Sequence, residues 1–256
     1  MYYSIEYNTK YTNFKHKNEF NNSDGEIMIY VTGDTHGDRE RLSKINLMKL
    51  KEGDTLIICG DFGFLWDNSK KEQRFLKDLG SRKYNICFID GTHENFELLN
   101  NYEISEWNGG KVHKIYGGLY HLLRGQIFEI EGKKIFTMGG GESSDIDIRH
   151  DVGAWQKEEI PTQEELLEGA ENLEIAGYNM DIIITHEPPL KVKSFLNLND
   201  SEMLRVTALN AYFEELSGSC KFKKWYFGSL HRDIRISSSH RSLFTDIVNA
   251  ETGEKI

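Results

Sequence analysis

Proline and cysteine are both scarce in this chain, three of each among 256 residues, and no run of 18 or more apolar residues occurs. The missing apolar run argues against a membrane-spanning helix. The thiols Cys59, Cys87 and Cys220 form an odd, widely spaced set, which excludes a disulfide framework and a cysteine-based zinc site. Cys59 and Cys87 lie inside apolar runs (LIIC, NICFI) and read as buried thiols. The first twenty residues, MYYSIEYNTKYTNFKHKNEF, are too polar to hold the apolar centre of a secretory signal, so a cytoplasmic location is the expectation. Basic residues are in the minority, 31 Lys and Arg against 41 Asp and Glu, for a net charge of −10. Seven of the acids fall in residues 158–174 (EEIPTQEELLEGAENLE), which contain no base and read as a solvated helix face. The bulk of the chain is therefore only mildly acidic. Strong non-specific nucleic-acid binding, which needs many cations against phosphates, is not expected.

The residues that are present describe a folded α/β chain. Residues 1–26 are rich in Asn, Tyr and Lys without a sustained period and read as an amino-terminal extension, with 27–256 as a single domain. Strand-like segments at 27–33, 55–61 and 84–91 alternate with helical text near 38–50, 68–80 and 94–101, which implies parallel crossovers. Short strands at hairpin spacing follow at 119–123, 126–130 and 134–138, with Glu131-Gly132 as a tight turn. A helix near 163–176, a strand at 181–189, a helix near 200–217, a strand at 223–231 and two final strands at 233–237 and 242–247 complete the order. Two packed mixed β-sheets flanked by helices use this order well.

Five strand-like runs end in Gly or Thr followed closely by Asp or His: Gly33-Asp34-Thr35-His36, Gly60-Asp61, Gly91-Thr92-His93-Glu94, Thr185-His186-Glu187-Pro188-Pro189 and Gly228-Ser229-Leu230-His231. Sites in open α/β sheets lie at the carboxyl ends of strands, so these tips are expected to share one crevice. They bring two Asp and four His, and no Lys or Arg. Two neighbouring carboxylates repel unless a cation neutralises them. Mixed carboxylate and imidazole donors suit Mn²⁺, Fe or Zn²⁺ better than Ca²⁺. Gly139-Gly140-Gly141-Glu142-Ser143-Ser144 reads either as a loop near a phosphate or as a plain loop after a hairpin. Arg149 reads either as a phosphate contact or as an exposed arginine. The remaining histidines, His113 and His121 among them, read as surface or packing residues.

These motifs, in this order, resemble the calcineurin-like metallophosphoesterase superfamily, whose pattern runs Asp-x-His, Gly-Asp-x-x-Asp, Gly-Asn-His-Asp/Glu, His and Gly-His-x-His. The text GDTHG, CGDFG, GTHENF, LLRGQIFEI and WYFG resembles its small bacterial and phage branch. The resemblance spans about residues 27–247. It implies a four-layer α/β/β/α sandwich and hydrolysis of a phosphate ester by a metal-activated water, in the manner of serine/threonine phosphatases. It further implies that Asp34, His36 and His231 hold a first metal, that Asp61 bridges two metals, and that His186 serves the second. His93 would act as general acid or transition-state stabiliser, oriented by Glu94. Two departures stand out: Thr92 replaces the Asn of Gly-Asn-His, and Ser229 replaces the first His of Gly-His-x-His. Both losses fall on the second metal, leaving it Asp61 and His186 unless the Thr92 hydroxyl or water substitutes. The implied enzyme has one intact metal site and one impaired. The implied substrate is a phosphorylated small molecule, nucleotide or phosphoprotein. A phosphodiesterase acting on nucleotides and a catalytically weakened metal- or phosphate-binding protein are the alternatives.

Overall fold

The computed structural model describes residues 26–44, 46–143, 146–151, 155–197 and 205–256. The amino-terminal extension, apart from Glu26, lies outside the described residues, as do Ser144 and the first part of the helix expected near 200–217.

Alternation of apolar side chains along the strands decides the layering. In β1 (Ile29–Thr32) Ile29 and Val31 point one way and Tyr30 the other; in β2 (Thr55–Ile58) Ile57 opposes Leu56 and Ile58. Such strands are apolar on both faces and need cover on both. β1, β2, β3 (Asn85–Phe88) and β6 (Leu119–Leu122) pair in parallel, and β5 (Gly110–Tyr116) and β4 (Ile104–Trp107) extend that sheet antiparallel. A second sheet is built on the parallel run of β8 (Lys133–Met138), β9 (Ile182–Thr185), β10 (Lys224–Phe227) and β12 (His240–Ser242), with β7 (Gln126–Ile130) and β11 (Ile234–Arg235) antiparallel at its edges. β13 (Ile247–Asn249) crosses back to pair antiparallel with β1, so the carboxyl-terminal strands serve both sheets.

Three apolar cores fill the three interfaces of this four-layer arrangement. Ile29, Val31, Ile57 and Cys87 of the first sheet meet Phe128, Ile135, Ile184 and Tyr226 of the second. On the outer face of the first sheet, Leu56, Ile58 and Phe88 pack against Leu76 and Leu79 of α1 (Lys70–Gly80) and Phe96 and Leu99 of α2 (Phe96–Leu99). On the outer face of the second, Phe136, Ile183, Trp225 and Phe227 pack against Leu173 of α4 (Gln163–Ile175) and Phe213 and Leu216 of α6 (Ala208–Ser219). Two further helices, α3 (Ile146–Asp151) and α5 (Leu190–Asn197), follow strand ends near the site described below. The expected α/β sandwich of two mixed sheets flanked by helices is the observed fold. All three cysteines are buried and free.

Several local expectations change. The segment expected as a helix near 38–50 forms a series of turns: the Asn46 side chain donates to the Glu40 carbonyl at 2.7 Å, and most amides reach back only three residues. Side-chain capture of carbonyls competes with a helix in this way. The hairpin of β4 and β5 lies outside the expected strands, although its turn, Asn108-Gly109 with φ of 47° and 87°, is the strongest short hairpin signal a sequence carries. Helix α5, directly after Pro189, likewise lies outside the expected elements. Glu159 departs from the solvated acidic face of 158–174: it is completely buried, at 0 % exposure.

A buried polar chain runs beside β3. Asp90 accepts from Arg124 Nε at 2.9 Å and Nη2 at 2.6 Å and from His121 Nε2 at 3.1 Å, and His121 Nδ1 faces His113 Nδ1 at 3.1 Å. Burial pushes the Asp90 carboxyl up, but Arg124 and His121 outweigh it and hold the group below the usual carboxylate range. Burial, and then His121, push His113 down from 6.5 to about 4. Arg124→Ala strands Asp90 in the interior, and urea denaturation should show a loss of about 3 kcal/mol. His113 stays neutral in the folded state at pH values where the unfolded chain protonates it, so stability falls as pH drops from about 6.5 toward 4. Urea midpoints measured across that window should fall less steeply for His113→Gln than for the native chain; equal slopes would refute the assignment.

Candidate metal and phosphoester site

The expected tips do meet. β1, β2 and β3 are neighbours in one sheet, β9 and β10 in the other, and all five loops leave the carboxyl ends of these strands. Asp34 and His36 follow β1, Asp61 follows β2, Thr92 and His93 follow β3, His186 follows β9, and Ser229 and His231 follow β10. Two glycines show why these loops read as they do. A Cβ on Gly91 would fall on the Asp61 carboxylate, and one on Gly228 would fall on the Asp34 carboxylate. His36, Asp61, Ser229 and His231 take left-handed backbone conformations, with φ of 46°, 44°, 56° and 49°. Non-glycine residues pay roughly 1–3 kcal/mol each for such conformations, which concentrate at functional sites.

One donor atom from each of Asp34, His36, Asp61 and His231 lies within 4.8 Å of the others. The nitrogens His36 Nε2 and His231 Nε2 face each other at 2.8 Å, and His231 Nε2 is 3.2 Å from Asp34 Oδ2. His36 Nε2 lies 4.0 Å from Asp34 Oδ2 and 3.8 Å from Asp61 Oδ2. Both carboxylates are buried while His36 and His231 are exposed, so the cluster opens to solvent through its imidazoles.

The second group of residues is less complete. His186 is buried, with Nδ1 2.9 Å from the Cys59 carbonyl, 3.7 Å from Asp34 Oδ1, and Nε2 3.8 Å from Asp61 Oδ1. The Cys59 carbonyl takes the Nδ1 proton, so Nε2 is the nitrogen aimed at Asp61. Asp61 Oδ1 accepts the amides of Thr92 at 2.7 Å and His93 at 2.8 Å, and His93 Nδ1 lies 3.1 Å from Asp61 Oδ2. The Thr92 hydroxyl is 2.9 Å from His93 Nδ1. Ser229 contributes its amide to Asp34 Oδ2 at 3.0 Å.

The electrostatics demand a cation. Among the described residues Asp34 Oδ1 is buried without a hydrogen-bond partner, and two imidazole nitrogens, His36 Nε2 and His231 Nε2, converge at 2.8 Å beside it. Burial pushes His186 down, yet the carboxylates of Asp61 and Asp34 outweigh it and raise the imidazole to about 9. Burial likewise pushes Asp61 up, and His186 and His93 bring it below the ordinary carboxylate range. A pocket that draws protons onto a fully buried histidine and leaves a carboxylate oxygen unpartnered fits a divalent ion, and Asp34, His36, Asp61 and His231 are the residues that would hold it.

The remaining predicted residues sit one step back. The carboxylate of Glu94 accepts the amides of Phe62 at 2.6 Å and Gly63 at 3.3 Å, so it braces the Asp61 loop; the groups on His93 Nδ1 are Asp61 and the Thr92 hydroxyl, not Glu94. Burial, and then Asp61, raise Glu94 well above the ordinary range despite those amides. Arg149 Nη1 donates to the Thr92 carbonyl at 3.2 Å, Ser143 Oγ at 3.1 Å and Glu159 Oε2 at 2.8 Å. Gly141 packs beside the Thr92 methyl and His186, which puts the glycine-rich loop against the site. Arg41 escaped the sequence reading. Its guanidinium donates to the carbonyls of Asp34 and Phe244, tying the first ligand loop to the loop beyond His231. No motif flags it, because its partners, two backbone carbonyls and the Thr32 hydroxyl, are brought together only by the fold.

The family described as "Calcineurin-like phosphoesterase" matches residues 27–215. The sequence matches no curated protein. Among solved structures, similarity extends to a protein of unknown function from Aquifex aeolicus, at 19 % identity over 63 % of this chain and 79 % of that one, with a TM-score of 0.33. A protein serine/threonine phosphatase from Saccharomyces cerevisiae, similar to human phosphatase PP5, is also similar, at 14 % identity over 88 % of this chain and 69 % of that one, with a TM-score of 0.31. The matched span contains four of the five strand tips, and the fold adds His231 from beyond it. On the family match, the chain belongs to the calcineurin-like phosphoesterases.

Proposed function

We propose that this chain hydrolyses a phosphomonoester, on a small molecule, nucleotide or protein, at a site with one strong and one weak metal position. The observation that carries the reading is the convergence of Asp34, His36, Asp61 and His231 within 4.8 Å, with His93 held on the shared carboxylate Asp61. Mixed carboxylate and imidazole donors favour Mn²⁺, Fe or Zn²⁺. A divalent ion bound there supplies Lewis acidity to a phosphoryl oxygen and makes water more acidic. The weak position follows from Thr92 and Ser229: His186 and Asp61 would be its protein ligands, and the Thr92 hydroxyl is engaged with His93.

The chain's own groups do the rest. Asp61 and Thr92 hold His93 Nδ1, so Nε2 delivers the proton to the leaving-group oxygen. Arg149 sits beside the Thr92 carbonyl, and its charge complements a substrate phosphate. Glu94 keeps the Phe62 and Gly63 amides, and with them Asp61, in place. The reduced, buried state of all three thiols suits a cytoplasmic protein. Among the described residues no helix is long and apolar enough to cross a membrane.

Melting curves test the metal site: Mn²⁺ at about 100 times its Kd should add about 2.7 kcal/mol, and Asp34→Asn should abolish that gain. No gain for the native chain removes the site. Chromogenic phosphate mono- and diesters assayed with millimolar Mn²⁺ test the reaction, the monoester being the expected substrate. Silence on both esters overturns the proposal in favour of a metal- or phosphate-binding protein, and exclusive diester turnover makes it a phosphodiesterase. Elemental analysis should find about one ion per chain, and the double variant Thr92→Asn, Ser229→His should bind a second and turn over faster. Two ions in the native protein would refute the weak second position.

A further inference from the structure

Glu159 belongs to none of the motifs, yet its carboxylate is buried and fully used at the end of a short 3-10 turn, Lys157–Glu159. Oε1 accepts from the Ser143 amide at 3.1 Å and the Ser143 hydroxyl at 2.9 Å, and Oε2 accepts from Arg149 Nη1 at 2.8 Å. That same Nη1 donates to the Thr92 carbonyl, and the amides of Thr92 and His93 donate to Asp61 Oδ1. The Thr92–His93 turn is therefore gripped from two sides, by the metal-site carboxylate and by a guanidinium that Glu159 holds. The backbone of the same short turn is tied in as well. The Glu159 carbonyl accepts the Gly141 amide at 2.9 Å, and the Glu158 carbonyl accepts Arg124 Nη2 at 2.7 Å. Packing alone does not require a charge at this position, because apolar replacements of buried ion pairs are often neutral or stabilising.

We infer that Glu159 is a positioning residue for phosphoester hydrolysis, acting through Arg149 and Ser143 to set the Thr92–His93 turn and so the imidazole of His93. The inference rests on the role given to His93 above. Supporting shells of this kind typically change activity by ~10–100-fold when lost. Arg149, by the same geometry, is both a charge beside the substrate and the link through which Glu159 works.

Glu159→Gln keeps an acceptor for Ser143 and removes the charge that holds Arg149. In the manganese-loaded full chain, kcat for p-nitrophenyl phosphate should fall ~10–100-fold with manganese content unchanged. The double variant Glu159→Gln, Arg149→Met should be no slower than Arg149→Met alone, since residues acting in series are not additive. Losses that multiply, or a lowered melting temperature with kcat and KM unchanged, would assign Glu159 to the scaffold only and overturn the inference. Should Glu159→Gln not fold, Arg149→Met and Ser143→Ala take its place, with the same expected fall in kcat at constant manganese. A native chain inactive on every ester counts against the proposed reaction instead. The imidazole resonances of His93 then decide: equal displacement in the Glu159 and Arg149 variants supports the link, and no displacement in either overturns it.

Discussion

Two buried carboxylates, Asp34 and Asp61, meet at the junction of two sheets, and their mutual repulsion is the constraint around which the rest of the molecule is arranged. Left alone they would be unstable neighbours. The protein answers with imidazoles: His186 is drawn toward its protonated form between them, and His36 and His231 turn their nitrogens toward the same point. Among the described residues an oxygen of Asp34 still has no hydrogen-bond partner. The site thus carries a built-in demand for positive charge, which a divalent ion meets and which the hydrolysis of an anionic ester requires.

Holding such a cluster together takes rigidity from both sheets. Strained backbone at His36, Asp61, Ser229 and His231 persists because strands on both sides leave the loops little freedom. Arg41 ties the loop after β1 to the loop beyond His231, and Glu94 anchors the loop after β2. On the opposite flank, Asp90, Arg124, the backbone and carboxylate of Glu159, and Arg149 form a polar frame reaching the Thr92 carbonyl. Apolar packing supplies the layers, while buried ion pairs between loops supply the register of the site. The openness of the cluster on its His36 and His231 side leaves room for a phosphate to approach from solvent.

How much of this was legible varies with the range of the forces involved. Strands such as Ile29–Thr32 and Ile182–Thr185 announced themselves, because both faces are buried and the text is apolar and β-branched. The turn at Glu131-Gly132 is equally plain, and Asn108-Gly109 carries a hairpin signal of the same local kind. The turns of 38–50 were not legible as turns, since the side-chain contacts that compete with a helix there, Asn46 to the Glu40 carbonyl and Arg41 to the Asp34 carbonyl, carry no sequence signature. Glu159 misled for a related reason. An acid in an acidic run looks solvated until its partners, Ser143 and Arg149, are seen to enclose it.

The strands that carry the site and the Asp and His residues at their tips were written in the sequence alone, because alternation of apolar residues and the glycine-Asp and glycine-x-His turns are local features. The sequence also shows Thr92 and Ser229 where the resemblance to the calcineurin-like pattern implies ligands. Only the tertiary structure decided which residues lie near which. It moved Glu94 from His93 to the Asp61 loop, joined Arg149 to Glu159, and brought His231 across from the second sheet to Asp34. Those outcomes depend on buried charged groups finding amides or opposite charges 10 to nearly 200 residues away in the chain, and no short-range pattern encodes the partner of a buried charge.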